Sequence, residues 1–379
     1  MQRLKLLLAS VAHFCVDSYA TMLAPLLPLV MTRLGLGIAG AGFLGTLVTL
    51  CSITQPLLGL WGDRMHRRRL VLGGMAMTAV FTPLMGIAPS YWVLVGILWL
   101  GGLGVAAFHP QAFSLAGELC GPRRGFGLAL FIFGGTLGLG VTPLWVRPFA
   151  EAAGLEWLPV VGLPGLLVLV LVWRFLPLDN PQAAAREAGE TSPAADGVRR
   201  GLMLITVVVI LRSVTGLCFG MFLAVLARER GLSPEEGDRW LAIYNISGVI
   251  GALLFGYLSD RISKRPLVCF SLVAASPALY LFLQAEGLAA YLLLGVGGGF
   301  LLASNSILVA LAQELAPGRS GLASSLPLGF SWGVASLALS PAGYIADRVG
   351  LAETLGWLAL LPLVTAAASL FLPGGPRRR

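Results

Sequence analysis

Apolar runs of about twenty residues, the length needed to cross a bilayer as a helix, recur along the whole chain. Short clusters of charge, glycine and proline separate them. Read between those clusters, the pattern predicts spans near 5–31, 38–61, 70–89, 91–117, 125–147, 156–176, 201–227, 237–258, 267–284, 288–313, 321–343 and 352–372. The expectation is an all-α membrane protein of twelve transmembrane helices. The first run, from Leu4 to Met31, is too long for a signal-peptide core and is read as a retained span. One polar stretch breaks the rhythm, LPLDNPQAAAREAGETSPAADGVRR. Its Ala/Pro/Glu-rich character reads as a flexible linker. The chain then divides into an N-terminal half, 1–176, a linker, 177–200, and a C-terminal half, 201–379.

Composition agrees. The 379 residues are 57% hydrophobic and only 12% charged, about half the charge of a soluble domain. The five cysteines lie in or beside apolar stretches without a C-x-x-C spacing, and read as small packing residues. The net charge of +8 is explained by topology rather than by nucleic acid. With the N-terminus inside, nineteen basic residues fall on the cytoplasmic side and six on the other, the bias that sets orientation. Both termini and the linker are therefore expected in the cytoplasm. Arginine outnumbers lysine 24 to two, which fits a GC-rich bacterial gene; the expected location is a bacterial inner (plasma) membrane. One basic residue is left over, Arg212, inside the seventh span.

The two halves repeat. GLWGDRMHRRR (59–69) follows the second span and GYLSDRISKRP (256–266) follows the eighth. Gly59 and Gly256, Asp63 and Asp260, Arg64 and Arg261, and Arg68 and Arg265 align at an offset of 197. GPRRG (121–125) and PGRSG (317–321) align at nearly the same offset. Glycine permits close helix approach, and the aspartate can hold an arginine or a helix N-terminus. These eight residues are candidates for a cytoplasmic gate, breakable by necessity and conformational rather than catalytic. Parallel six-span repeats are a transporter architecture, with the substrate near midplane between them.

The paired loops resemble the signature of the major facilitator superfamily, over essentially the whole chain. More narrowly, HFCVD in span 1, AAFHPQAFSLAG in span 4, LRSVTG in span 7 and ELAPGRSGLASSLPLGFSWG around spans 10 and 11 resemble its fosmidomycin-resistance branch. The resemblance implies the major facilitator fold, with two pseudo-symmetric six-helix halves, and a proton-coupled antiporter exporting small drugs. Departures are visible. His66 and Ser263 stand where the family loop usually has glycine, Leu98 where many proton-coupled exporters have arginine, and Gln111 where the branch commonly has an acid.

An ionised aspartate near the centre of a spanning helix costs about 2.5–3.5 kcal/mol on insertion scales. Asp17 lies twelve residues past Lys5, and Arg212 twelve past Arg200. Each is therefore about 18 Å along its helix from the cytoplasmic edge. Spans 1 and 7 are repeat-equivalent, and the resemblance implies that both line a central cavity. The acid is then expected to face a cation across that cavity. Either the two form a static pair that fixes packing, or Asp17 takes and releases a proton while Arg212 binds an anionic or polar substrate. His13, one turn from Asp17, and His109 in span 4 are candidates for a proton path; a hydrogen-bonded structural role is the rival. Gln111, Asn245 and the Ser304-Asn305-Ser306 run are candidate substrate contacts, and they equally suit bonds between helices.

The chain has no P-loop, no zinc spacing and no nucleophile constellation, so neither an enzyme, a metal, a cofactor nor ATP coupling is expected. The expected partners are a small-molecule substrate, protons and the lipid bilayer, with no nucleic acid and a monomeric state. Uptake of a metabolite anion by proton symport, or lipid flipping, is the alternative function.

Overall fold

The structure, a computed structural model, describes residues 2–64, 67–119, 124–178, 196–259, 261–315 and 325–373. Those residues form helices and short connections, with no strand among them. Among the described residues, eleven helical stretches are long and apolar enough to span a bilayer: Arg3–Leu34, Ile38–Gly59, Arg67–Ile87, Tyr91–Leu119, Leu130–Ala153, Leu155–Phe175, Gly197–Glu229, Pro234–Ser259, Lys264–Phe282, Gly287–Ala312 and Leu351–Ser369. These are spans 1 to 10 and span 12 below. The stretch expected as span 11 is helical in pieces, a π turn at Leu326–Phe330 followed by Ser331–Ser336 and Leu339–Val349; its beginning, 321–324, lies outside the described residues. So do 179–195 of the expected linker, after which a helix starts at Asp196.

Span 1 shows why the chain folds this way locally. Leu6, Ala9, Ser10, His13, Val16 and Asp17 are all buried and recur at intervals of three and four, the signature of one helix face. The ionisable residues thus share the face that packs. The helix is interrupted by a turn at Met22, whose amide bonds back to Tyr19, and resumes at Leu23. Span 2 is interrupted similarly by a 3₁₀ turn at Cys51–Thr54.

Contacts divide the chain into two units. The first comprises Met1–Leu23 and Leu47–Ala194. Its core joins Ala9, Ala12 and Val16 to Val71 and Met75 of span 3, Phe108, Ala112 and Leu115 of span 4, Phe131 of span 5 and Val172 of span 6.

The second unit comprises Ala24–Thr46 and Ala195–Arg379, so that residues 24–46 pack with spans 7 to 12. The physical reason is legible. Both carboxylate oxygens of Asp347 accept from the first amides of span 2, Ile38 and Ala39, each at 2.8 Å. A negative group is favoured at such a helix N-terminus, where backbone amides lack partners. Farther along, the Thr46 hydroxyl donates to the Ser336 carbonyl at 2.9 Å, and Arg228 donates to the Pro28 carbonyl at 3.1 Å. Inside this unit the GVGGGF segment of span 10 serves close packing. A Cβ on Gly251 of span 8 would collide with the backbone of Gly299.

Candidate functional site

His13 and Asp17 stand one turn apart on span 1, and His109 reaches them from span 4. His13 Nε2 lies 3.3 Å from one carboxylate oxygen of Asp17, and His109 Nε2 lies 3.1 Å from the other. The rings are held from behind. Nδ1 of His13 is 2.9 Å from the Phe131 carbonyl of span 5, and Nδ1 of His109 is 2.8 Å from the Val105 carbonyl one turn back. A carbonyl oxygen only accepts, so each Nδ1 carries a hydrogen and donates it.

That assignment fixes the proton inventory. With Nδ1 protonated, a neutral imidazole presents a bare lone pair at Nε2. Placed against an ionised carboxylate oxygen, lone pair would face lone pair. Each N···O contact therefore requires a hydrogen between its atoms. Both are satisfied when the two imidazoles are imidazolium and Asp17 is ionised, a cluster of net charge +1. Removing one proton leaves it neutral, and removing both leaves it at −1. Two hydrogens thus complete the contacts among the three side chains.

The surroundings are apolar. His13 stacks on Phe131 with ring centroids 4.3 Å apart, and Phe113 meets it edge-on at 5.6 Å. Asp17 is only 8% exposed and His13 4%, while His109 is half-buried. Span 5 makes room through Gly135, where a Cβ would overlap the Asp17 carboxylate and the His13 ring. Part of the FGGTLGLG segment thereby acquires a role at the site.

The leftover cation has a different setting in the second unit. Arg212, in span 7, is fully buried. Its Nη2 donates to the Ser213 hydroxyl at 3.1 Å and the Asn305 side-chain oxygen at 3.4 Å. Nε and Nη1 make no hydrogen bond among the described residues. One turn on, the hydroxyl of buried Tyr244 donates to the Gly216 carbonyl at 3.2 Å. Asn245 is half-buried beside it on span 8. The sequence pairs Asp17 with Arg212. In the structure the groups in contact with the carboxylate, inside its own unit, are the two imidazoles.

The other candidates fall elsewhere. Gln111 is buried in the first unit and donates to the Gly59 carbonyl at 3.0 Å, joining spans 2 and 4 at the gate motif. Ser304 and Ser306 bond to backbone carbonyls, Leu301 at 3.0 Å and Ala252 at 2.8 Å. Of the motif residues, Gly256 lies against Ser306 and Arg68 is exposed. Arg261 covers the Tyr257 ring at 3.8 Å, and Arg265 is half-buried. Asp63 and Arg64 end a helix, with side chains outside the description, and Asp260 lies outside the described residues.

Sequence reasoning passed over a second repeat-related feature. Arg67, 2% exposed, forms a two-pronged pair with Glu118 at 2.7 and 2.6 Å, between spans 3 and 4. Lys264 and Glu314 pair at 2.9 Å between spans 9 and 10. The positions correspond at offsets of 197 and 196, so the repeat alignment carried the signal.

A family model described as Major Facilitator Superfamily matches residues 9–326. A Bacillus subtilis (strain 168) protein named uncharacterized MFS-type transporter YfnC is 26% identical, covering 99% of this chain and 94% of its own. The fosmidomycin resistance protein of Escherichia coli (strain K12) is 25% identical, covering 96% and 91%. Among solved structures, a bacterial homologue of the human lysosomal transporter Spinster, in an inward-facing and unoccupied conformation, superposes with a TM-score of 0.78. It covers 98% of this chain and 96% of its own at 17% identity, a likeness of fold.

Proposed function

The chain belongs to the Major Facilitator Superfamily and is a multi-pass membrane transporter rather than an enzyme, and from that premise we propose that it is a proton-coupled antiporter exporting a small anionic compound. The observation that carries the reading is the His13–Asp17–His109 cluster. A carboxylate buried in a spanning helix is costly and marks a proton or ion path. Here it is flanked by two imidazoles that can each carry a second proton, and the three change net charge from −1 to +1 as two protons enter. Arg212 supplies the substrate site. Its fully buried guanidinium has two nitrogens without hydrogen bonds among the described residues, in a geometry suited to gripping a carboxylate or another oxyanion. Similarity to a fosmidomycin resistance protein favours export. The motif loops, with Arg67–Glu118 and Lys264–Glu314, serve as the breakable cytoplasmic gate.

One observation favours a second reading. An empty Arg212 with a fully deprotonated cluster sums to zero, and so does bound monoanion with one proton. Paired loading of proton and anion leaves no net buried charge, which suits symport and uptake. Purified protein in liposomes with an imposed pH gradient separates the two. Antiport requires a weak-acid anion to accumulate on the more acidic side, symport on the more alkaline side. Flux indifferent to the gradient, with the anion still bound, overturns both.

A further inference from the structure

The electropositive partner that the two N···O contacts demand need not be hydrogen, and we propose that His13, Asp17 and His109 also form a binding site for one divalent transition-metal ion, with Zn²⁺ as the natural probe. The proposal rests on the geometry of the three side chains and not on the transport reading.

Among the described residues these three offer one ligand atom each within 4.8 Å of one another. Zinc bonds to imidazole nitrogen and carboxylate oxygen are about 2.0–2.2 Å long, so neighbouring ligand atoms in a tetrahedral site stand roughly 3.3–3.4 Å apart. The Nε2–carboxylate separations are 3.3 and 3.1 Å, so the carboxylate and each imidazole are spaced to share an ion with only small adjustment. The outer bonds suit it as well. A metal-bound histidine almost always donates its remaining N–H to a carbonyl or carboxylate, which fixes tautomer and ring orientation. His13 and His109 both do so, to Phe131 and Val105, leaving Nε2 directed inward. Gly135 leaves the carboxylate space that any other residue would fill. Three protein ligands leave a fourth position for water.

Charge gives the consequence. A divalent ion on the deprotonated cluster yields +1, the value reached with two protons. The metal therefore reproduces the fully protonated charge state in a form that does not release protons. Two imidazoles and a carboxylate favour zinc, cobalt or nickel over magnesium or calcium, which prefer all-oxygen sites.

The test reads metal rather than flux. Purified protein in detergent is titrated with Co²⁺, whose visible absorption reports four-coordinate binding, and with Zn²⁺ in competition. The expected result is one saturable site, with affinity falling roughly tenfold or more in His13→Gln, Asp17→Asn and His109→Gln. His66→Gln, which alters the chain's third histidine, keeps full affinity. His109→Glu supplies a carboxylate oxygen at a similar reach from the backbone and retains binding, which separates loss of a ligand from loss of fold. No saturable cobalt spectrum, or unchanged affinity in folded His13→Gln and His109→Gln, overturns the proposal. Either result leaves the transport reading to be judged by its own gradient experiment.

Discussion

Asp17 and Arg212 lie twelve residues past Lys5 and Arg200 in repeat-equivalent spans, and the surroundings of the two charges, each in its own unit, differ. The carboxylate is answered on both oxygens by imidazoles, which are in turn anchored on backbone carbonyls. The guanidinium, buried more completely, has one nitrogen bonded to neutral oxygens and two with no bond among the described residues. One charge is compensated by groups that can themselves gain or lose protons. The other has no such compensation among the described residues, which is why the proposed function assigns it to an anionic substrate. A buried cation without an acidic partner costs several kcal/mol, so its retention points to use rather than to stability.

The largest effect should come from the uncompensated side. Arg212→Met is expected to weaken binding of an anionic substrate by about 2–5 kcal/mol, roughly thirtyfold or more. The same change should leave thermal stability equal or higher, because an apolar replacement removes a desolvated charge. Ligand binding and melting, measured on the same preparation, check both arms. Lost stability together with lost binding would place Arg212 among the structural residues instead.

Next come changes to the compensated side. On the proposed coupling, His13→Gln and His109→Gln each remove one of the two protons the cluster can hold. Gradient-driven flux should fall, and its dependence on pH should become shallower by one proton, while binding of the anion at a single pH changes little. A pH titration of flux in liposomes reads this, and an unchanged slope in both variants breaks the proton inventory. Gly135→Ala tests the same cluster through shape. The added methyl meets the carboxylate and the His13 ring, and overpacking of this kind costs about 1–3 kcal/mol. Driven flux should drop more steeply than substrate affinity.

The remaining comparison concerns the Arg67–Glu118 and Lys264–Glu314 pairs and reads stability alone. Arg67→Ala leaves Glu118 without its partner and removes a buried, two-pronged contact, expected to cost about 3 kcal/mol. Lys264→Ala removes a single-bonded pair nearer the surface, worth about 1 kcal/mol or less. Chemical denaturation of both variants compares them. Equal losses would mean that burial does not separate the two halves of the repeat.

Much of this was legible in the chain itself. Span positions follow from apolar length, and the two motif loops from their shared offset. The i, i+4 spacing of His13 and Asp17 puts them on one helix face. What the pattern could not supply was the partner. A charge of opposite sign at equal depth suggested Arg212 for Asp17, because depth is readable along one helix while rotation about its axis is not. His109 and Gln111, two residues apart on span 4, point in different directions for that reason. One meets the carboxylate, and the other bonds to the Gly59 carbonyl. The grouping of 24–46 with the second unit was equally hidden. It depends on Asp347, more than three hundred residues away, capping the start of span 2.

The central claim is that the Asp17 cluster carries the driving protons while the anion binds elsewhere, and Asp17→Asn in liposomes tests it most directly. The variant removes the negative charge that both imidazolium groups face, so on this account the cluster no longer loads its two protons. With folded yield confirmed, it should still bind the substrate and exchange labelled for unlabelled substrate at equal pH, yet fail to accumulate it under a pH gradient. Accumulation against a concentration gradient at near wild-type rate would contradict the account and leave the cluster as a buried structural element.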